Sequence, residues 1–180
     1  AQGLDHLVFA SVPTVLSVSG CDDLESSTVN CSTSGGVIIT VTGESFGTEA
    51  DSLEVYVMDE TCGEVTLSSS NGVDTITCQL PAGTGLASLV IRLNLNDDEY
   101  YQSAQYLLIQ YAPPSISSVF HSSCEYIDES DSLHIHNCPR AGTGSLIITG
   151  TNLGTEGAVV IVGSSVCANP MHTSSSSVVY

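Results

Sequence analysis

Lysine is absent from these 180 residues, and arginine occurs only as Arg92 and Arg140. Against them stand 20 acidic residues, for a formal net charge of −18. Such a chain repels phosphate backbones, which excludes nucleic acid as a partner. Charged residues of both signs make up only 12% of the chain, so Ser, Thr and Gly are left to solvate the surface. A surface of that kind is compatible with glycans, and without lysine it resists trypsin-like cleavage. No apolar run approaches the ~20 residues of a membrane-spanning helix. No secretory signal is visible; a mature chain beginning at Ala1 would already have lost one. Nothing argues for a helix longer than a turn. Catalytic signatures are missing as well: there is no Gly-x-Ser-x-Gly and no His-Glu-x-x-His, and the acidic residues fall in loops rather than as a pair in an apolar setting. The chain is therefore not read as an enzyme. No Cys-x-x-Cys occurs, which argues against a zinc knuckle.

What the chain does have is a phrase that it states twice. Thr42-Gly43-Glu44-Ser45-Phe46-Gly47-Thr48-Glu49 returns as Thr149-Gly150-Thr151-Asn152-Leu153-Gly154-Thr155-Glu156, at an offset of 107 residues (149 − 42). Alternating apolar residues precede each copy (Ile39 and Val41; Leu146 and Ile148) and follow it (Leu53, Val55 and Val57; Ala158, Val160 and Val162). Strand, glycine-punctuated turn, strand is the simplest reading. Gly43, Gly47, Gly150 and Gly154 suit backbone positions where a side chain is costly. A period this long separates domains rather than solenoid repeats of ~20–50 residues.

The phrase, a strand ending in Thr-Gly, then two variable residues, an aromatic or Leu, and Gly, resembles the TIG (IPT) immunoglobulin-like domain. Pro13-Thr14-Val15 and Pro113-Pro114-Ser115-Ile116 resemble that family's domain openings. Cys78-Gln79-Leu80-Pro81 resembles its mid-domain Cys-x-x-Pro, and Tyr111-Ala112-Pro113-Pro114 its junction between domains. The resemblance implies an all-β chain of tandem immunoglobulin-like sandwiches, the second incomplete. Residues 13–112 would be the first domain and 113–180 the second. Strands are expected near 14–19, 36–42, 53–58, 73–78, 86–95 and 104–111. The 86–95 stretch is the clearest, with Ala87, Leu89, Ile91, Leu93 and Leu95 on one face and Ser88, Arg92 and Asn94 on the other. Two prolines at the junction restrict its geometry and predict a stiff rod. Residues 1–12, with Leu4, Leu7, Val8, Phe9 and Ala10, match the end of the first domain. They read as the last strand of a preceding or neighbouring domain. The second domain lacks the counterpart of the final strands of the first, so either the polypeptide continues or another chain completes the sheet.

The cysteines follow the repeat, as disulfides inside secreted domains do. The expected pairs are Cys21–Cys31, Cys62–Cys78 and Cys124–Cys138, with Cys167 standing where Cys62 stands in the first copy.

Other candidates for chemistry are few. His134 and His136 would share a strand face and could bind zinc or copper with a third ligand such as His121. The acidic clusters Asp22-Asp23-Glu25, Asp97-Asp98-Glu99 and Asp128-Glu129-Asp131 offer oxygen ligands for calcium, although none matches an EF-hand loop; solvated turns and surface histidines are the simpler reading of all of these. No resident cofactor is expected. Asn30-Cys31-Ser32 is the one glycosylation sequon; Ser68–Ser70 and Ser174–Ser177 suit O-glycans by composition.

These readings converge on an extracellular or cell-surface structural or adhesive module, a repeating subunit of a fibre that joins head to tail with itself. The alternative is a ligand-binding ectodomain fragment of a plexin-like receptor, which the same resemblance implies.

Overall fold

The computed structural model describes residues 11–96, 99–128, 130–142, 144–154, 156–174 and 177–179. The chain divides into two compact units. The first draws on residues up to Val29, Gly36–Pro81 and Leu86–Gln110; the second on Asn30–Gly35, Ala82–Gly85 and Tyr111 onward.

Eleven strands run from Thr14 to Tyr111: β1 (Thr14–Ser19), β2 (Asp22–Asp23), β3 (Thr28–Cys31), β4 (Ile38–Glu44), β5 (Leu53–Val57), β6 (Glu60–Thr61), β7 (Gly63–Ser70), β8 (Val73–Gln79), β9 (Leu86–Asn96), β10 (Glu99–Gln102) and β11 (Tyr106–Tyr111). They form two sheets, one ordered β1-β4-β8-β7, the other β2-β3-β11-β9-β5-β6 with β10 added to β9. The core has the period-two pattern of strands buried on one face. Val15 and Val18 of β1, Ile39 and Val41 of β4, and Ile76 and Cys78 of β8 are buried, as are Leu53, Val55 and Val57 of β5 and Ala87, Leu89 and Ile91 of β9. Leu93 is half-buried and Leu95 exposed, so the apolar face of β9 outlasts the core: the strand runs on past the layer that covers it, and the expected five-residue face is three residues deep in the core.

The repeated phrase has a physical cause. Between Val15 and Ser17 the register of β1 against β4 shifts, a bulge that carries the Thr14 carbonyl over Gly43. A Cβ at Gly43 would lie 2.1 Å from that oxygen, and 2.3 Å from the buried Phe46 ring. The next residues leave the strand with Ser45 (φ 63°) and Gly47 (φ 91°) in left-handed backbone. Phe46 then turns inward, its amide donating to Asp74 Oδ2 (2.9 Å).

From Ser115 onward come β12 (Ser115–His121), β13 (Glu125–Tyr126), β14 (Ile135–His136), β15 (Leu146–Thr151), β16 (Ile161–Val162), β17 (Ser165–Val166), β18 (Met171–Ser174) and β19 (Ser177–Val179). The sheet β12-β15-β19-β18 repeats the order of β1-β4-β8-β7 strand for strand. Its bulge recurs too, between Ile116 and Ser118, and a Cβ at Gly150 would lie 1.8 Å from the Ser115 carbonyl oxygen. Asn152 (φ 56°) and Gly154 (φ 78°) repeat the left-handed pair. The other strands differ. β13 and β14 form one two-stranded sheet and β16 and β17 another. The apolar run Ala158, Val160, Val162 yields only the two residues of β16 as strand, and Val162 is exposed. Among the described residues after Ala112, Ile148 is the one buried hydrophobic side chain.

Candidate functional site

The residues singled out in the sequence fall into local clusters. Cys62 is bonded to Cys78, bridging β8 to the segment after β6, and Cys124 to Cys138, closing the β13–β14 hairpin. Cys21 and Cys31 are also disulfide-bonded, whereas Cys167 is a free thiol. Its position echoes that of Cys62: the Cys62 amide donates to Val55 O (2.7 Å) after one hairpin, and the Cys167 amide to Val160 O (2.9 Å) after the other.

The acidic clusters hold turns together. Asp23 Oδ1 accepts from the Gly20 amide and from Thr28 Oγ1, both at 2.8 Å, and these bonds hold its carboxyl below the usual range, that from Gly20 first. Asp128 accepts from the Ser130 amide (2.9 Å) and hydroxyl (2.8 Å), and its pKa is lowered by the amide first. Asp131 accepts from the Leu133 amide (3.0 Å) and pairs with His134 Nδ1 (2.6 Å); again the backbone amide is the larger cause of a lowered pKa. His136 Nε2 lies 3.2 Å from Tyr126 O and 4.0 Å from Glu125 Oε2. The two imidazoles thus each serve the β13–β14 hairpin. Among the described residues no group of three or more His, Cys, Asp or Glu side chains could hold a metal ion. Glu99 begins β10, while its companions Asp97 and Asp98, like Glu129, lie outside the described residues. So do Leu4, Leu7, Val8, Phe9 and Ala10.

Asn30 is exposed, as a glycan site requires, but its backbone has φ 57°. Asn137, its counterpart one repeat later, has φ 51° and is followed by Cys138-Pro139, which is not a sequon. Both asparagines thus occupy a left-handed position of the kind that Asn favours.

One cluster has no clear sequence signal. On the outer face of the second sheet of the first unit, Arg92 Cζ stacks 4.8 Å from the Tyr56 ring centroid and 4.4 Å from that of Tyr100. Its Nη1 lies 3.7 Å from Glu54 Oε2 and donates to Tyr56 Oη (3.4 Å); Nη2 donates to Gln102 Oε1 (3.4 Å). Tyr56 in turn donates to Glu54 (2.9 Å), which raises the phenol pKa. The guanidinium clips β5, β9 and β10 together through cation–π and ionic contacts. Arg92 could be placed on a solvent face by alternation, but its stacking partners come from strands 36 residues before it and 8 after.

Two antiparallel sheets packed around one core make residues 13–111 an immunoglobulin-like β-sandwich. The IPT/TIG domain model matches residues 24–111, so this part of the chain is similar to the IPT/TIG domains, a non-enzymatic immunoglobulin-like family. No curated protein and no solved structure matches the chain. The disulfides and the domain type fit an extracellular setting, and no helix among the described residues is long and apolar enough to cross a membrane.

Proposed function

We propose that the chain is a secreted or cell-surface structural module, a unit of a fibre in which copies join head to tail, with residues 113–180 forming a second IPT/TIG-type domain. One observation carries this reading. Among the described residues after Ala112, four strands rebuild the order of the first sheet of the preceding sandwich, and the other strands form two separate two-stranded sheets. Large apolar side chains stay exposed around them, among them Ile127, Leu133, Val159, Ile161 and Val166. Exposed apolar surface with free strand edges is a site for strand addition. A contact between unlike ends propagates into a filament unless it closes on itself. Residues 4–11, which match the last strand of the first domain in sequence, are the proposed donor. Glycans at Asn30 and on Ser68–Ser70 would suit the same setting.

Negative-stain microscopy of the full chain and of a variant lacking residues 1–11 tests the reading. Regular fibres from the full chain and none from the shortened one are expected. Fibres that persist unchanged in the variant would remove the donor, and a full chain that stays monomeric at all concentrations would remove the fibre.

A further inference from the structure

We infer that the Arg140–Ala141 peptide bond is a cleavage site for an endoprotease of trypsin-like specificity, and the one place at which such an enzyme cuts this chain in its folded state. The site is independent of the fibre reading. A protease of this class needs Lys or Arg on the acyl side of the scissile bond, held by a carboxylate at the base of its specificity pocket. These 180 residues offer only Arg92 and Arg140. The fold treats the two in opposite ways.

Arg92 lies within β9, with Glu54 of β5 opposite it on one side and Gln102 of β10 on the other. Its backbone is held inside the sheet, and its guanidinium is stacked between the rings of Tyr56 and Tyr100. A protease takes its substrate as an extended segment laid along its own strand edge. Reaching Arg92 therefore requires that β9 first leave the sheet, a local unfolding that costs the packing of the core. Arg140 stands instead in the connection between β14 and β15. Asn137 to Gly142, Gly144 and Ser145 are all exposed. Among the described residues no carboxylate lies within ion-pair distance of the Arg140 guanidinium. The turn around it is closed by a long hydrogen bond, from the Gly142 amide to Pro139 O at 3.3 Å. Exposed loop tips built of small residues are where nicking concentrates.

The neighbouring residues favour the cut and confine its effect. Pro139 fixes its own φ and pushes Cys138 towards extended backbone, the form that a protease binds. Hydrolysis breaks the C–N bond and adds water across it: the Arg140 carbonyl becomes a carboxylate, and Ala141 takes the proton as a new α-amine. The six disulfide-bonded cysteines all precede the bond, Cys138 being the last, and Cys167 beyond it is a free thiol. No disulfide therefore joins the two products. What joins them is the antiparallel pairing of β12 with β15, from Ser115 opposite Thr151 to His121 opposite Leu146. The cut turns a covalent connection between β14 and β15 into a noncovalent one.

The test is limited proteolysis of the full native chain with trypsin, read by intact mass and N-terminal sequencing. One cut is expected, giving residues 1–140 and a product that begins at Ala141. The products should separate on a denaturing gel without reductant and elute together in native size exclusion. Arg140→Gln should abolish cleavage of the folded chain. Once reduced and denatured, the wild-type chain should be cut after Arg92 as well, as expected if the sheet rather than the local sequence protects that bond. A native chain cut first after Arg92, or an Arg140–Ala141 bond that resists trypsin in the native chain and yields only in the denatured one, would overturn the site. Products that part in native size exclusion would overturn the β12–β15 pairing as what holds them together.

Discussion

The two units share one sheet and differ in the other. Both build a four-stranded sheet in the same order, with the same bulge over a glycine and the same left-handed pair after it. In the first, Val18, Val41 and Ile76 are buried beneath a second sheet; in the second, Ile148 alone is buried among the described residues after Ala112. The shared sheet depends mostly on local chemistry: turn residues, a bulge and alternation. Burial depends on what lies opposite. A sheet acquires a core only when a second layer removes its apolar face from water.

Core substitutions should separate the units most sharply. Leu89→Ala removes a fully buried side chain and should cost about 2–5 kcal/mol, partly through the cavity it leaves. Ile161→Ala, at a side chain 64% exposed, should change stability by no more than about 0.5 kcal/mol in the unassembled chain. Denaturant titration of both variants measures the contrast; equal losses would mean that β16 is already covered.

Cysteine should separate them next. Replacing Cys62 and Cys78 together by Ala opens a loop of sequence separation 16 and should cost the first unit about 3 kcal/mol. Cys167→Ala, at its free counterpart, should be close to neutral in reducing and non-reducing conditions alike. Thermal melts with and without reductant check both.

The glycine positions should instead show the units behaving alike. Gly43→Ala and Gly150→Ala each drive a Cβ into a backbone carbonyl, 2.1 and 1.8 Å away, with no flexible side chain to yield. Each should destabilise its sheet by about 1–3 kcal/mol through overpacking. Exchange of the β4 and β15 amides reports them separately; tolerance at one site alone would show that the bulge is not shared.

The smallest effect at neutral pH belongs to Tyr111. Burial pushes its phenol up from 10.0 to about 12. The fold therefore disfavours the ionised form. Its contribution to stability is intact below pH 10 and is lost as the pH rises from 10 towards 12. Tyr111→Phe should flatten that part of the alkaline stability curve; an unchanged slope would place its origin elsewhere.

Parts of this were readable from the chain. Ala87, Leu89 and Ile91 alternate and are buried; Leu95 alternates equally well and is exposed. Alternation states which face a residue shares, not how far the covering layer reaches. β7 lies outside the strands expected from the sequence although its signal is present: Asn71-Gly72, both at positive φ, turns β7 into β8, and Asn-Gly between alternating runs marks a hairpin. β7 is an outer strand with Val65 and Leu67 only half-buried, so its apolar pattern was weak. His134 and Asp131 looked like separate metal candidates and proved to be hydrogen-bonded to each other.

By itself the sequence determined the all-β class, the repeat and the positions where only glycine is tolerated, because alternation, turns and close approaches are written within a few residues. The tertiary structure decided which apolar faces become core, which strand lies beside which, and that Arg92 clips three strands. Those outcomes depend on residues distant in the chain meeting across sheets, and on whether a second layer is there to exclude water.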